Sequence, residues 1–147
     1  MPFNWRYNLS GGPPKVLDFL MLDTETLTKG DLVNVEAGEV DLAATNDTDF
    51  AGVFLGALDP VDEDPPGVVA GTDSTTWVKV IVNPDAVYGV TDANARAAGA
   101  DLDVAGATGA QTVAAVNNAD LRVVESKKAA ADETLVMIHP GEHYLAE

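Results

Sequence analysis

His139 and His143 are the only histidines in the chain, and they bracket Glu142 in the motif HPGEH. Two imidazoles and a carboxylate so close together suggest a divalent metal site. A zincin-type site, however, needs its histidines one turn apart on a helix, so that both rings share a face. Pro140 and Gly141 forbid that helix, so the motif predicts a solvated turn and no metal. Asp59, Asp62, Glu63 and Asp64 precede Pro65-Pro66-Gly67 and offer carboxylate oxygens to a hard cation. They lack the glycine and the distal Glu of an EF-hand loop, and a solvated loop is expected. Asp101 and Asp103 fall on one face of an extended segment, as any i, i+2 pair does whether or not it reacts. No G-x-S-x-G, P-loop or G-x-G-x-x-G pattern occurs, and with no cysteine there is no thiolate nucleophile, iron–sulfur cluster or thiolate zinc site. The expectation is a non-enzyme with no catalytic residue and no cofactor. A β-barrel enzyme working through distant carboxylates is the competing possibility, since triads assemble from remote positions.

The charge balance narrows the partners. Asp and Glu number 24 against 8 Lys and Arg, a formal net charge of −16. Binding a polyanion requires a basic stripe that releases counterions, and the basic residues here are scattered, so nucleic acid and anionic membrane are excluded as expected partners. At 147 residues and 46% hydrophobic, the chain is long and apolar enough for one folded domain. No stretch approaches the roughly 20 apolar residues of a bilayer span. The N-terminus MPFNWRYNLSGGPPK has no continuous apolar region and does not read as a secretory signal.

The elements that position these residues are mostly strands. Phe3, Trp5, Tyr7 and Leu9 alternate with polar residues, which puts them on one face of an extended segment. Ser10-Gly11-Gly12-Pro13-Pro14 then loosens the chain, so residues 1–15 read as an extended arm on a single β-rich domain over 16–147. An edge strand packed on its own domain is the alternative. Val16–Leu22 is apolar enough for a strand or a short helical turn, and Lys29-Gly30-Asp31 turns the chain before Leu32, Val33 and Val35. Ala37-Gly38-Glu39 reverses it into Val40–Leu42 as a hairpin. Phe50–Leu58 is the next strand, with Gly52 and Gly56 allowing a bulge or a close backbone approach. Asp59–Thr75 reads as loop. Thr76–Val82 is a two-faced strand with Val78, Val80 and Val82 on one side and Trp77, Lys79 and Ile81 on the other.

Ala86–Val90 is followed by Thr91 or Asp92 as cap of a short helix through Asn94–Ala97, stopped by Gly99. Asp101–Val104, Gln111–Val116, Leu121–Glu125 and Glu133–His139 complete the strands, with a turn at Asn117-Asn118 and a polar connection over Lys127–Asp132. The fold class expected is all-β or β-dominated: a small β-barrel or sandwich with one short helix and the N-terminal arm.

Three blocks, KGDLVNVEAGEVDLAATNDTDFAGVFLGAL (Lys29–Leu58), TWVKVIVNPDAVYGVTDANARAAGADLDVAGATGAQTVAAVNNADLRVVE (Thr76–Glu125) and DETLVMIHPGEHYLA (Asp132–Ala146), together resemble the capsid decoration, or cement, proteins of tailed bacteriophages. The likeness covers most of the chain beyond the arm and is one of pattern and spacing. It implies a small β-barrel module on the outer surface of the virion, made in the host cytoplasm. Such a module binds the assembled capsid, often as a homotrimer, and clamps adjoining copies of the major capsid protein. Strong negative charge suits a protein that must stay apart from its own copies before docking. The arm's role comes from the residues themselves: Phe3, Trp5, Tyr7 and Leu9 are the expected capsid or subunit contact, through strand addition. The alternative is an acidic β-barrel module from a halophilic or high-GC organism, binding a sugar or a protein through exposed aromatics.

Overall fold

The segment FAGVFLGA is apolar or glycine throughout, a pattern that suits a strand covered on both faces. In the computed structural model, which describes residues 1–72, 75–115, 118–127, 129 and 132–145, that strand joins two cores. Among the described residues the strands are, in chain order, β1 (Phe3–Asn8), β2 (Val16–Met21), β3 (Thr26–Thr28), β4 (Leu32–Glu36), β5 (Glu39–Leu42), β6 (Phe50–Ala57), β7 (Val68–Ala70), β8 (Trp77–Ile81), β9 (Ala86–Val90), β10 (Asp101–Ala105), β11 (Thr112–Ala115), β12 (Leu121–Glu125) and β13 (Thr134–Ile138). The protein is therefore β-dominated, as the turn spacing predicts. β2-β5-β4-β6-β8 close into a barrel, and β1-β9-β13-β12-β10-β11 form a six-stranded sheet. A short β3–β7 ladder stands apart from both.

The barrel is filled by Met21, Val33, Val40, Phe54, Val78 and Val80, all essentially inaccessible to solvent. A second core joins Phe50, Val53 and Ile81 of the barrel to Phe3, Tyr88 and Leu121 of the sheet. β6 serves both: Phe50 and Val53 face the sheet core, while Ala51, Phe54 and Ala57 face the barrel core. A strict two-residue period cannot send Ala51 and Val53 to opposite faces, and the ladder with β4 duly slips there, pairing Val33 with Gly52 and Asn34 with Phe50. Ala51 is the extra residue of this bulge, and its neighbour Gly52 sits at φ +148°, where a Cβ would lie 1.8 Å from the Ile81 carbonyl oxygen.

Polar side chains close the seam. Gln111, buried, accepts from Leu32 N at 2.6 Å and donates to the carbonyls of Leu32 and Ala43 at 3.2 and 2.9 Å. Asp31, also buried, accepts from Thr28 N, Gly109 N and the Thr108 hydroxyl at 2.8, 2.8 and 2.6 Å. Both tie the 106–111 turn of the sheet to the start of β4 on the barrel.

Three expectations are corrected. Residues 3–8 are extended, but they do not form a detached arm: β1 is the edge strand of the sheet, antiparallel to β9 in the same chain. No helix forms over Asn94–Ala97. Asp92 does accept from Asn94 N, but the following amides leave the helical pattern, with Ala98 N donating to the Ser126 hydroxyl and Gly99 N to the Val123 carbonyl. The β12 strand outcompetes a single helical turn, which gains little on its own. The helical turn among the described residues is instead a 3-10 turn at Pro60–Asp62, inside the segment expected to be loop, which also holds β7. Parts of three other expectations, at Asp73-Ser74, at Val116-Asn117 and at 128, 130 and 131, lie outside the described residues.

Replacing Gln111 by Leu leaves Leu32 N and the Ala43 carbonyl buried without these partners. The expected loss is about 2–4 kcal/mol of unfolding free energy. Urea denaturation measures it, and a loss under 1 kcal/mol would mean that the seam does not rely on Gln111.

Candidate functional site

The residues expected to make contact split into two pairs. Phe3 is fully buried in the sheet core, and Trp5 packs against that core half-buried, while Tyr7 and Leu9 are exposed. The cause is a register shift in the β1–β9 ladder: Trp5 pairs with Tyr88 and Tyr7 with Val87, so Arg6 is the extra residue of a bulge. Asn8 takes the inward position that simple alternation would not give it. Its carboxamide accepts from the Trp5 indole at 3.1 Å and donates to the Pro13 carbonyl at 3.1 Å. Arg6 reaches Glu133 with Nε at 2.9 Å and its terminal nitrogen at 2.5 Å. Edge strand, the Gly-Gly-Pro-Pro segment and sheet are thus fastened together, with Tyr7 and Leu9 presented outward beside Ser10 and Gly11.

The HPGEH motif holds its histidines apart in function. His143 is buried, with Nε2 3.1 Å from the Ala51 carbonyl and Nδ1 accepting from Leu145 N at 3.1 Å. That pattern fixes a neutral ring protonated on Nε2, and it fastens the C-terminal segment to β6. The solvated turn expected here is therefore only half right. His139 lies nearer the surface, with Nε2 2.7 Å from an Arg122 nitrogen and 3.8 Å from Asp101 Oδ1. Asp101 accepts from Arg122, whereas buried Asp103 accepts from Asn118 N and Ala119 N at 2.9 and 3.0 Å. The two aspartates thus have different partners.

Two of the four acidic residues of the Asp59–Asp64 segment, Asp59 and Glu63, bond backbone amides, while Asp62 and Asp64 are exposed. Asp59 caps the 3-10 turn through Val61 N. Glu63 accepts from Gly67 N and Ala57 N, both at 3.0 Å, and these amides, with Lys79 and Lys29 nearby, hold its carboxyl below the usual carboxylate range. Among the described residues, no group of three or more His, Asp or Glu is placed to hold a metal ion.

No protein-family model and no curated protein matches this chain.

One surface was visible in the sequence only as the second face of a strand. Trp77 stands 45% exposed on the outer barrel wall, opposite Leu20 of β2, and Leu58 N donates to its carbonyl at 2.8 Å. The alternation of TWVKVIV places Trp77 and Lys79 away from the barrel interior. What the sequence does not show is that neighbouring strands bring Leu20 and Leu58 alongside.

His143, on one side, and Asp41 and Asp120, on the other, respond to pH with opposite signs. Burial lowers the His143 pKa below the ordinary 6.5, so its contribution to stability is full above pH 6.5 and is lost as pH falls. Asp41 and Asp120 are raised to about 6, each chiefly by burial. Neighbouring Asp47, Glu36 and Glu25 add to the effect at Asp41. For these two the fold favours the uncharged acid, so their penalty is complete above about pH 6 and disappears towards pH 4. Asp41→Asn is expected to raise stability at pH 7.5 by about 1 kcal/mol, with the gain vanishing near pH 3.5. Thermal unfolding of both proteins across pH checks this, and a gain that does not depend on pH would refute the assignment.

Proposed function

We propose that this protein is a capsid decoration protein: it binds the outer surface of an assembled viral capsid as a homotrimer and clamps adjacent major capsid proteins. The observation that carries the reading is the pairing of a strongly acidic body with an exposed apolar end. The net charge of −16 keeps free copies apart. Tyr7 and Leu9 sit at the end of an edge strand, next to a Gly-Gly-Pro-Pro segment in which a side chain at Gly11 or Gly12 would meet open space. An edge strand can extend a partner's sheet through main-chain hydrogen bonds, with alternate side chains setting register. The buried half of the strand, Phe3 and Trp5, supplies the anchor, and the exposed half supplies the contact. Many copies on one shell then turn modest single-site affinity into avidity.

The sequence-pattern resemblance to phage cement proteins points the same way. The ionisable groups that would otherwise suggest catalysis, His143, Asp103 and Glu63, are occupied in holding backbone amides and carbonyls.

Co-sedimentation with expanded tailed-phage capsids, assembled from any major capsid protein found in the same genome as this chain, tests the reading. The wild-type protein is expected to pellet with the shells and to raise their resistance to heat. Tyr7→Ser with Leu9→Ser is expected to weaken that binding about tenfold, with the melting temperature of the free protein unchanged. Absence of capsid binding, together with a saturable sugar ligand, would overturn it.

A further inference from the structure

The outer barrel wall carries a second feature that the N-terminal contact does not use. Phe19 and Met21 face the barrel core, so Leu20 between them points out, and the ladders place it opposite Glu39 on one side and Trp77 on the other. Ala57 pairs with Val78, and Leu58 N bonds the Trp77 carbonyl, so Leu58 continues the same line. Glu39, Leu20 and Trp77 therefore form one row across β5, β2 and β8, and Leu58, just past the end of β6, continues it. At the usual strand spacing the row is about 14 Å long. Trp77 and Leu58 are 45% and 49% exposed, respectively.

The row is rigid. All four strands belong to the closed barrel, and the loop after Leu58 is pinned by the Asp59 cap and by Glu63. With the barrel's main-chain groups taken up by neighbouring strands, anything that docks here must do so through side chains, unlike a partner at the β1 edge. Its rim is acidic: Glu39 ends the row, Asp59 follows Leu58, and the next row holds exposed Asp18 opposite Lys79, the one cation among them. A second copy seated symmetrically on this same face is a poor occupant, because the contact would set Glu39, Asp18 and Asp59 against their own copies. An apolar centre built on Trp with a charged rim is the pattern of an interaction hot spot.

We propose that the barrel wall around Trp77 is a docking surface for a protein segment that presents an apolar side chain between Lys or Arg residues. The apolar side chain packs on Trp77 and Leu58, and the flanking cations meet Glu39, Asp18 and Asp59. This inference goes beyond the capsid reading and does not depend on it, since its test uses no capsid.

The probe is a fluorescein-labelled peptide of alternating Leu and Lys, compared by anisotropy with a peptide of equal charge in which Ser replaces Leu. The expected result is saturable binding of the Leu–Lys peptide, with the Ser–Lys peptide at least tenfold weaker. Trp77→Ala is expected to lose at least tenfold in affinity with unchanged circular dichroism and melting temperature. Leu58→Ser serves as the second variant should Trp77→Ala fold poorly, with the same direction of loss. Glu39→Gln combined with Asp18→Asn is expected to weaken binding several-fold and to flatten its salt dependence. Equal binding of the two peptides would mean general charge attraction and would overturn the proposal, as would affinity unchanged by Trp77→Ala or Leu58→Ser. Self-association of the free chain that Trp77→Ala abolishes would also overturn it, by making the occupant a second copy.

Discussion

β6 has no solvent side. Its residues fill the barrel on one face and the sheet core on the other, and the slip at Ala51 is what lets a single strand serve both. Every backbone group near that strand must find a partner within the protein, because water does not reach it. His143, Gln111 and Asp31 belong to that requirement: each is a buried polar side chain aimed at backbone from another part of the chain. Remove the double burial of β6, and the barrel and the sheet become separate small assemblies, each with too little core to be stable.

This constraint also shapes the functional reading. A barrel filled by Phe54, Met21 and valines holds side chains where a ligand would otherwise go. His143, Gln111 and Asp31 near the seam are taken up by backbone contacts, while Tyr7, Leu9, Leu58 and Trp77 stand exposed on or beside strands. Such a body suits binding to a preassembled partner. Its acidity has a cost, visible at Asp41, where burial and neighbouring carboxylates push the pKa up to about 6. The excess charge is thus partly at odds with stability.

Much of the fold was legible in the sequence, because alternation and turn chemistry are local. The hairpin at Ala37-Gly38, the two-faced strand around Val78 and the bulge beside Gly52 in β6 follow from residue type and spacing. What was not legible depended on distant partners. The bulge at Arg6 turns Tyr7 away from Phe3 and Trp5, and it is set by pairing with β9 and the Glu133 ion pair. The helix expected after Asp92 gives way to amides that bond across to β12 and its flanks. β3 and β7 are three residues each, too short to stand out from loop. His143 looked solvated because nothing in HPGEH reveals that Ala51 awaits it across the fold. For the site, the apolar N-terminal residues were visible as a set but not as two pairs. Trp77 was visible on its own but not with its neighbours.

On the proposed function, this protein sits on the outside of a capsid and joins the subunits beneath it. Cryo-electron microscopy of expanded capsids mixed with saturating protein addresses it at the contact itself. The expected reconstruction carries ordered density on the outer surface, each copy touching more than one major capsid protein. Bare shells at saturating protein, or density confined to a single subunit with no neighbour engaged, would contradict it.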